Sequence, residues 1–277
     1  MHNPFIFILD LDGTIIGDCS YQVIINTYED VLKENKLKSV VKNTLLGHYH
    51  QDSNLIRPYF KYFIESISQY NSNSQFYIYT ASEKSWAAKE IALIEKANGI
   101  KFNRPIFTRD DCIIDSFGMY KKSVAKILPR ILKNNRSNRI NKNNIAVIDN
   151  NKVFIDYLSN LIICPSYEHI HFYDLWEKIK PEHMFNENVM RYLSSLVSSN
   201  KICKWKHTEI DSNEMEYKFK WFYKKYKKIN RLNKKYSKDM FWKRLTDGII
   251  NQRVDGFDKD TIKTLAKLSC NRHDTLP

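Results

Sequence analysis

Paired cysteines and long apolar runs are what this sequence lacks. Its five cysteines (Cys19, Cys112, Cys164, Cys203 and Cys270) stand alone, with no C-x-x-C among them. Neither a zinc site nor a disulfide framework is indicated. Lone cysteines suit a reducing compartment, nucleus or cytoplasm. No apolar run approaches the ~20 residues that a membrane-spanning helix needs, so no membrane partner is expected. The run Phe5–Leu9 is too short for the core of a secretory signal and ends in an acid. His48, His50, His169 and His171 have no supporting groups at ligand spacing and read as ordinary surface or packing residues. With 43% hydrophobic and 27% charged residues, wholesale disorder and a collagen-like fibre are excluded. The 277 residues allow one large domain, or one of ordinary size with an appendage.

What the chain has in excess is positive charge, +13 in all, and it is unevenly placed. Residues 1–177 are nearly neutral at +2, whereas residues 178–277 carry +11. The expected division is therefore a body over 1–177 and a basic, mainly helical region over 178–277. Such a field favours acidic partners, nucleic acid or phosphorylated protein. It equally describes a solvated helix surface. The 26 asparagines point to an AT-rich genome and to nothing about function.

Four short apolar runs read as strands buried on both faces: Phe5–Leu9, Phe76–Tyr79, Ile145–Ile148 and Leu161–Cys164. Helical patterns lie between them. Arg57-Pro58 opens one that runs to Tyr70, with Phe60, Phe63, Ile64 and Ile67 on one face. A second runs from Glu83 to Ala97 and is closed by Asn98-Gly99. A third covers 121–133. The polar stretch Asn134–Asn144 reads as a long exposed loop. Strands alternating with helices predict an α/β fold with a parallel sheet. In the C-terminal third, Asp211 with Glu214 could cap a helix whose stripe is Met215, Phe219, Phe222, Tyr226 and Ile229. Ser237 could cap another bearing Met240, Phe241 and Leu245, and Asp260 could start a last one through Leu268.

In an open parallel sheet, ligands bind beyond the C-terminal ends of the strands. Three strands end in polar residues: Asp10-Leu11-Asp12-Gly13-Thr14, Thr80-Ala81-Ser82 and Asp149-Asn150. So many acids in one crevice call for a cation, and oxygen ligands select a hard one such as Mg²⁺. A lysine from the 120s could add fixed positive charge.

Asp10 to Thr14 resembles the D-x-D-G-T signature of the haloacid-dehalogenase (HAD) superfamily of phosphohydrolases. The remaining motifs resemble one branch of it, the FCP/SCP phosphatases of the RNA polymerase II C-terminal domain, also called NLI-interacting-factor-like. These are Arg57-Pro58, Tyr79-Thr80-Ala81-Ser82, Tyr120-Lys121-Lys122 and Ile148-Asp149-Asn150, in the family's order. Gly13 stands where that branch usually has Glu, and Asn151-Lys152 where it has Ser-Pro. The resemblance covers about 5–176. It implies a HAD-like Rossmannoid three-layer sandwich around a central parallel sheet, and the gaps between motifs, the longest about 40 residues, leave no room for a large cap.

The resemblance also implies roles. Asp10 is the nucleophile that forms an aspartyl-phosphate, and Asp12 is the general acid and then the base. Mg²⁺ is held by the Asp10 side chain, the Asp12 carbonyl and Asn150, with Asp149 behind them. Thr80 binds a phosphate oxygen, and Lys122 neutralises charge, its neighbour Lys121 being the other candidate. The implied substrate is a phosphorylated protein segment such as a polymerase C-terminal-domain-like tail. A 3′-phosphorylated nucleic acid strand, or a catalytically silent scaffold of the same fold, are the alternatives.

Overall fold

The computed structural model describes residues 4–17, 55–135, 140–167, 169 and 234–270. In chain order the main elements are β1 (Ile6–Leu9), α1 (Phe60–Tyr70), β2 (Gln75–Ile78), α2 (Lys84–Asn98), β3 (Ile113–Ile114), β4 (Tyr120–Lys121), α3 (Val124–Asn135), β5 (Ile145–Asp149), β6 (Leu161–Ile163), α4 (Phe241–Asn251) and α5 (Lys259–Ser269). None of the helices is long and apolar enough to cross a membrane, among the described residues. Cys112, Cys164 and Cys270 carry free thiols.

The four apolar runs form one parallel sheet in the order β2-β1-β5-β6. Side chains alternate across it, because successive Cβ atoms point to opposite faces. Phe5, Phe7, Leu9, Phe76, Ile78, Ala146, Ile148 and Ile162 enter one core. Ile6, Ile8, Tyr77, Tyr79, Ile145 and Val147 enter the other. Each face is covered by helices, which is why these strands read as continuous apolar runs without polar alternation. On the first face α1 buries Phe60, Phe63, Ile64 and Ile67, and α2 buries Ala87, Ile91 and Ile94. Gly99 ends α2 in the left-handed conformation at φ 66°, its N–H donating to Glu95 O. On the second face α3 buries Val124, Ile127 and Ile131. The α/β architecture with a central parallel sheet is thus as the strand pattern predicts.

Helices α4 and α5 lie beyond residue 178 and pack into the first core. Phe241, Trp242, Leu245, Ile249, Ile262 and Leu265 are all buried there. The Trp242 ring lies 5.1 Å from Phe60 and 4.7 Å from Phe63. Phe257, between the two helices, meets Phe5 at 4.8 Å and Phe7 at 5.3 Å. The boundary at 177/178 and the stripe from Met215 to Ile229 lie outside the described residues.

Four local expectations are corrected. Lys121, expected to open the third helix, instead pairs with Ile113 as Tyr120 pairs with Ile114, in an antiparallel hairpin whose turn Asp115 holds by accepting from the N–H of Phe117 and Met119. The helix waits until Val124 because Asp156 supplies its cap, accepting from Val124 N, Ala125 N and Ser123 Oγ. The stretch from Asn134 is not wholly exposed loop: α3 runs to Asn135, and residues 142–144 form a short helical turn with Asn144 buried. In the C-terminal part, Ser237 bonds back to Lys234 O, and Asp239 accepts from Phe241 N at the start of α4. The last helix is capped by Asp258, two residues before Asp260.

Candidate active site

Because β1 lies between β2 and β5, its tip stands between theirs. The chain turns sharply after Leu9, with Ile15 N and Ile16 N donating to Leu11 O and Gly13 N to Ile16 O. Gly13 has φ 74°, and a Cβ there would come within 2.6 Å of Asn150 Nδ2, so conformation and space both demand glycine. Thr14, fully buried in this turn, has Oγ1 at 3.1 Å from Asp10 Oδ2 and 3.3 Å from Asn150 Oδ1, and accepts from Asn150 N at 3.1 Å. Asn150 turns its amide nitrogen to Ser166 Oγ, which leaves its oxygen toward Thr14.

Lys122 enters from the segment between β4 and α3. Its backbone is fixed beside Phe154: Lys122 N donates to Val153 O and Ile155 N to Lys122 O. Its ammonium lies 2.6 Å from Asp10 Oδ1 and 2.7 Å from Asp149 Oδ2, with 2% of the side chain exposed. Asp149 is oriented in turn by Asn151 N, which donates to its Oδ1 at 2.6 Å. Lys121 points elsewhere and pairs with Asp115 at 3.7 Å.

Burial pushes the Asp10 carboxyl up to about 7; Lys122 pulls it down, and the Asp149 and Asp12 charges push it further up. Burial alone would lower Lys122, but the Asp10 and Asp149 carboxylates outweigh that and hold its pKa above the usual lysine value. The ammonium therefore stays charged, between two acids of which it can fully offset only one.

Asp12 lies outside this cluster. Its Oδ2 accepts from Ser82 Oγ at 2.5 Å and Thr80 Oγ1 at 3.3 Å, while Thr80 Oγ1 also accepts from Ser82 N at 3.0 Å. The residues singled out in the sequence thus fall into two adjoining groups. Asp10, Lys122, Asp149 and Asn150 join through Thr14 and the ammonium; Asp12 and Thr80 join through Ser82. Sequence reasoning gave no role to Thr14 or Ser82, although both stand inside the quoted motifs.

Arg57 is the other residue whose place was not foreseen. Its segment runs beside the turn, Arg57 N donating to Ile15 O. The guanidinium is 0% exposed and forms a two-pronged pair with Asp239, Nε to Oδ1 and Nη2 to Oδ2, both at 2.9 Å. It also stacks 4.6 Å above the Phe241 ring. Burial acts to lower its pKa, and Asp239 outweighs that.

No group of three or more His, Cys, Asp or Glu side chains among the described residues could hold a metal. The set implied for Mg²⁺ is of another kind: one carboxylate, one backbone carbonyl and one amide oxygen. The residues present fit it. Asp10 and Asn150 turn oxygens to the same Thr14 hydroxyl, and the buried acids exceed the one buried ammonium. A hard cation suits both features.

A family model described as NLI interacting factor-like phosphatase matches residues 5–202. Two solved structures are similar. One is the fission yeast RNA polymerase II CTD phosphatase Fcp1 bound to beryllium fluoride, with 16% identity and a TM-score of 0.38 over 94% of this chain and 69% of that one. The other is a structure of Fcp1, an essential RNA polymerase II CTD phosphatase, with 18% identity and a TM-score of 0.39 over the same shares. No curated protein matches the chain.

Proposed function

From the premise that this chain belongs to the NLI interacting factor-like phosphatases, and so is a phosphatase, we propose that it hydrolyses phosphoserine or phosphothreonine in a protein segment, with Mg²⁺, through an aspartyl-phosphate on Asp10. The observation that carries this reading is the buried Lys122 ammonium 2.6 Å from Asp10. It holds the carboxylate in one orientation and offsets the charge that gathers as the acid meets a phosphate dianion.

In the first step an Asp10 oxygen bonds to phosphorus and the P–O ester bond breaks. The departing serine oxygen takes the proton of Asp12. In the second step Asp12 takes a proton from water, the water oxygen bonds to phosphorus, and Asp10 leaves with its electron pair as free carboxylate. Thr80, whose hydroxyl rests on Asp12, would turn toward a phosphate oxygen. Asp149 keeps Lys122 in place. Mg²⁺, held by the Asp10 carboxylate, the Asp12 carbonyl and the Asn150 amide oxygen, would supply Lewis-acid stabilisation of the phosphoryl charge.

A protein substrate is supported by the short gaps between motifs, which leave no large cap, and by the β3–β4 hairpin. That hairpin leads directly into Lys122 and exposes Ile114, Phe117 and Met119, with Phe117 87% exposed. An apolar surface beside the site suits a peptide chain better than a small metabolite. Phosphate release from phosphoserine peptides should exceed that from 3′-phosphorylated oligonucleotides and stop on chelation. The opposite preference would make the nucleic acid strand the substrate, and no release from any substrate with Mg²⁺ would leave a scaffold.

Two further results are expected. Asp12→Asn should slow the first step, single-turnover release of serine from a phosphoserine peptide, by about 100-fold, and the burst of p-nitrophenol far less, because a phenolate needs little help from an acid. Equal losses on both would remove Asp12 as proton donor. The second concerns stability. With its pKa raised from 3.8 to about 7, Asp10 stabilises the metal-free fold below pH 3.8, and that contribution is lost as pH rises to 7. Above pH 7 the ionised acid awaits a cation. Mg²⁺ should therefore raise the melting temperature more at pH 8 than at pH 5. Equal shifts at both would place the bound ion away from Asp10.

A further inference from the structure

Arg109 stands between the two arms that bring residues to the site. Its Nε donates to Ala81 O at 2.9 Å, and its backbone N–H donates to Ser82 O at 3.0 Å. Two consecutive carbonyls of the loop bearing Thr80 and Ser82 are thus fastened to one residue. The same guanidinium reaches Glu83 Oε1 through Nη1 at 3.1 Å and lies 5.2 Å over the ring of Tyr120 on β4. Two residues past Tyr120 is Lys122.

The loop needs such an anchor. Ser82 sits beyond the end of β2, where sheet hydrogen bonds no longer hold the chain. Yet its hydroxyl approaches Asp12 Oδ2 at 2.5 Å, the closer of the two hydroxyls on that oxygen. A short contact between two side chains on separate loops persists only if both backbones are fixed. Asp12 is fixed by the tight turn; Ser82 is fixed by its own N–H on Thr80 Oγ1, by the backbone N–H of Arg109 on its carbonyl, and by the Arg109 guanidinium on the carbonyl before it.

We propose that Arg109 is a positioning residue: its guanidinium, by holding the Ala81 carbonyl beside the backbone bond that already fastens Ser82 O, aims the Ser82 hydroxyl at Asp12, and through its stack on Tyr120 it ties that aim to the hairpin beside Lys122. The effect on turnover rests on the reading of Asp12 as proton donor; the positioning itself does not. Misplacing a supporting group by a fraction of an ångström weakens an acid catalyst without touching substrate binding.

Arg109→Ala should lower kcat on a phosphoserine peptide about 10-fold and leave KM unchanged. The burst of p-nitrophenol from p-nitrophenyl phosphate, which reports the first step alone, should change less than about 2-fold, because its leaving group needs no acid. Arg109→Lys, which keeps one donor for Ala81 O, should recover part of the loss. In a Ser82→Ala background, Arg109→Ala should add nothing, since both changes act through one hydroxyl. Losses that multiply in the double variant, or that fall equally on both substrates, overturn the proposal. Hydrogen exchange gives an answer independent of catalysis. The Ser82 amide, which donates to Thr80 Oγ1, should exchange faster in Arg109→Ala while β1 and β5 amides do not. An unchanged Ser82 amide overturns the positioning role. Should Asp12→Asn prove insensitive to leaving group, the proton-donor reading falls alone, and the exchange result still decides for Arg109.

Discussion

Asp10→Asn should abolish turnover, by about 10⁴-fold or more, while the protein stays folded. An amide has no lone pair basic enough to displace an alkoxide from phosphorus, whatever its position. The fold should not suffer, for a reason visible in the cluster. Asp10 and Asp149 share one ammonium, and removing one of the two charges leaves Lys122 paired with Asp149 at 2.7 Å. The amide oxygen can still accept from Lys122. Because burial pushes the Asp10 carboxyl up to about 7, its neutral replacement should melt at the same temperature as the wild type or higher at pH 8. Acid-quenched wild-type enzyme should carry one phosphoryl group, lost in the variant and mapped by mass spectrometry to the peptide containing residues 10–12. Residual turnover above about a hundredth of wild type, with no phosphoryl group trapped, would end covalent catalysis at Asp10.

Asp239→Ala should cost about 3–5 kcal/mol, because it leaves the fully buried Arg57 cation without its counter-ion. In a fold whose whole stability is of the order of 5–15 kcal/mol, that is a large share. The melting temperature should fall by roughly 10 °C. The control is the double variant Arg57→Met with Asp239→Leu, in which no charge is stranded; it should recover most of the loss. A double variant as unstable as the single one would show that packing around Phe241 and Tyr167, and not the charge pair, holds this junction. Removing residues 234–277 altogether should be worse, since Trp242 of α4 also covers Phe60 and Phe63 and Phe257 covers Phe5 and Phe7. Truncation therefore cannot test whether the basic region recruits an acidic partner. Neutralising the exposed Lys259, Lys263 and Lys267 of α5 can, because their charge is not needed inside.

The strands were legible because burial on both faces leaves a purely local trace: four to five apolar residues in a row, followed in three of the four by a polar tip. Helix α1 was legible for a similar reason, its four buried residues recurring at helical spacing. The polar residues at the tips of β1, β2 and β5 do converge, since strands joined through helices run parallel and end at the same edge of the sheet. The hairpin of β3 and β4 was not legible. Its strands are two residues long and largely exposed, so no periodicity marks them. Nor could the sequence show which partner a polar residue would find. Asp156 caps a helix 32 residues upstream of itself, Arg57 meets Asp239 at a separation of 182, and Asn160 donates to Lys142 O, Ile145 O and Phe257 O. Such pairs satisfy buried groups after the chain has folded back, and they have no signature along it. Charge alone did not show that the basic region also holds core: α5 exposes Lys259, Lys263 and Lys267 and buries Ile262 and Leu265.

The meeting of Phe257 with Phe5 and Phe7 governs how this protein can be made. Strand β1 is the centre of the sheet, yet one of its faces is completed by a ring some 250 positions later in synthesis. Closing so long a loop makes folding slow, because its entropy is lost before the contacts form. On the ribosome, β1 and α1 emerge early and must wait, with Phe5, Phe7, Phe60 and Phe63 uncovered, until α4 and α5 have left the exit tunnel. That interval is when the nascent chain is most prone to aggregate. Holdase chaperones and slow, cool expression should therefore raise the soluble yield of this protein more than any change to the finished molecule's surface.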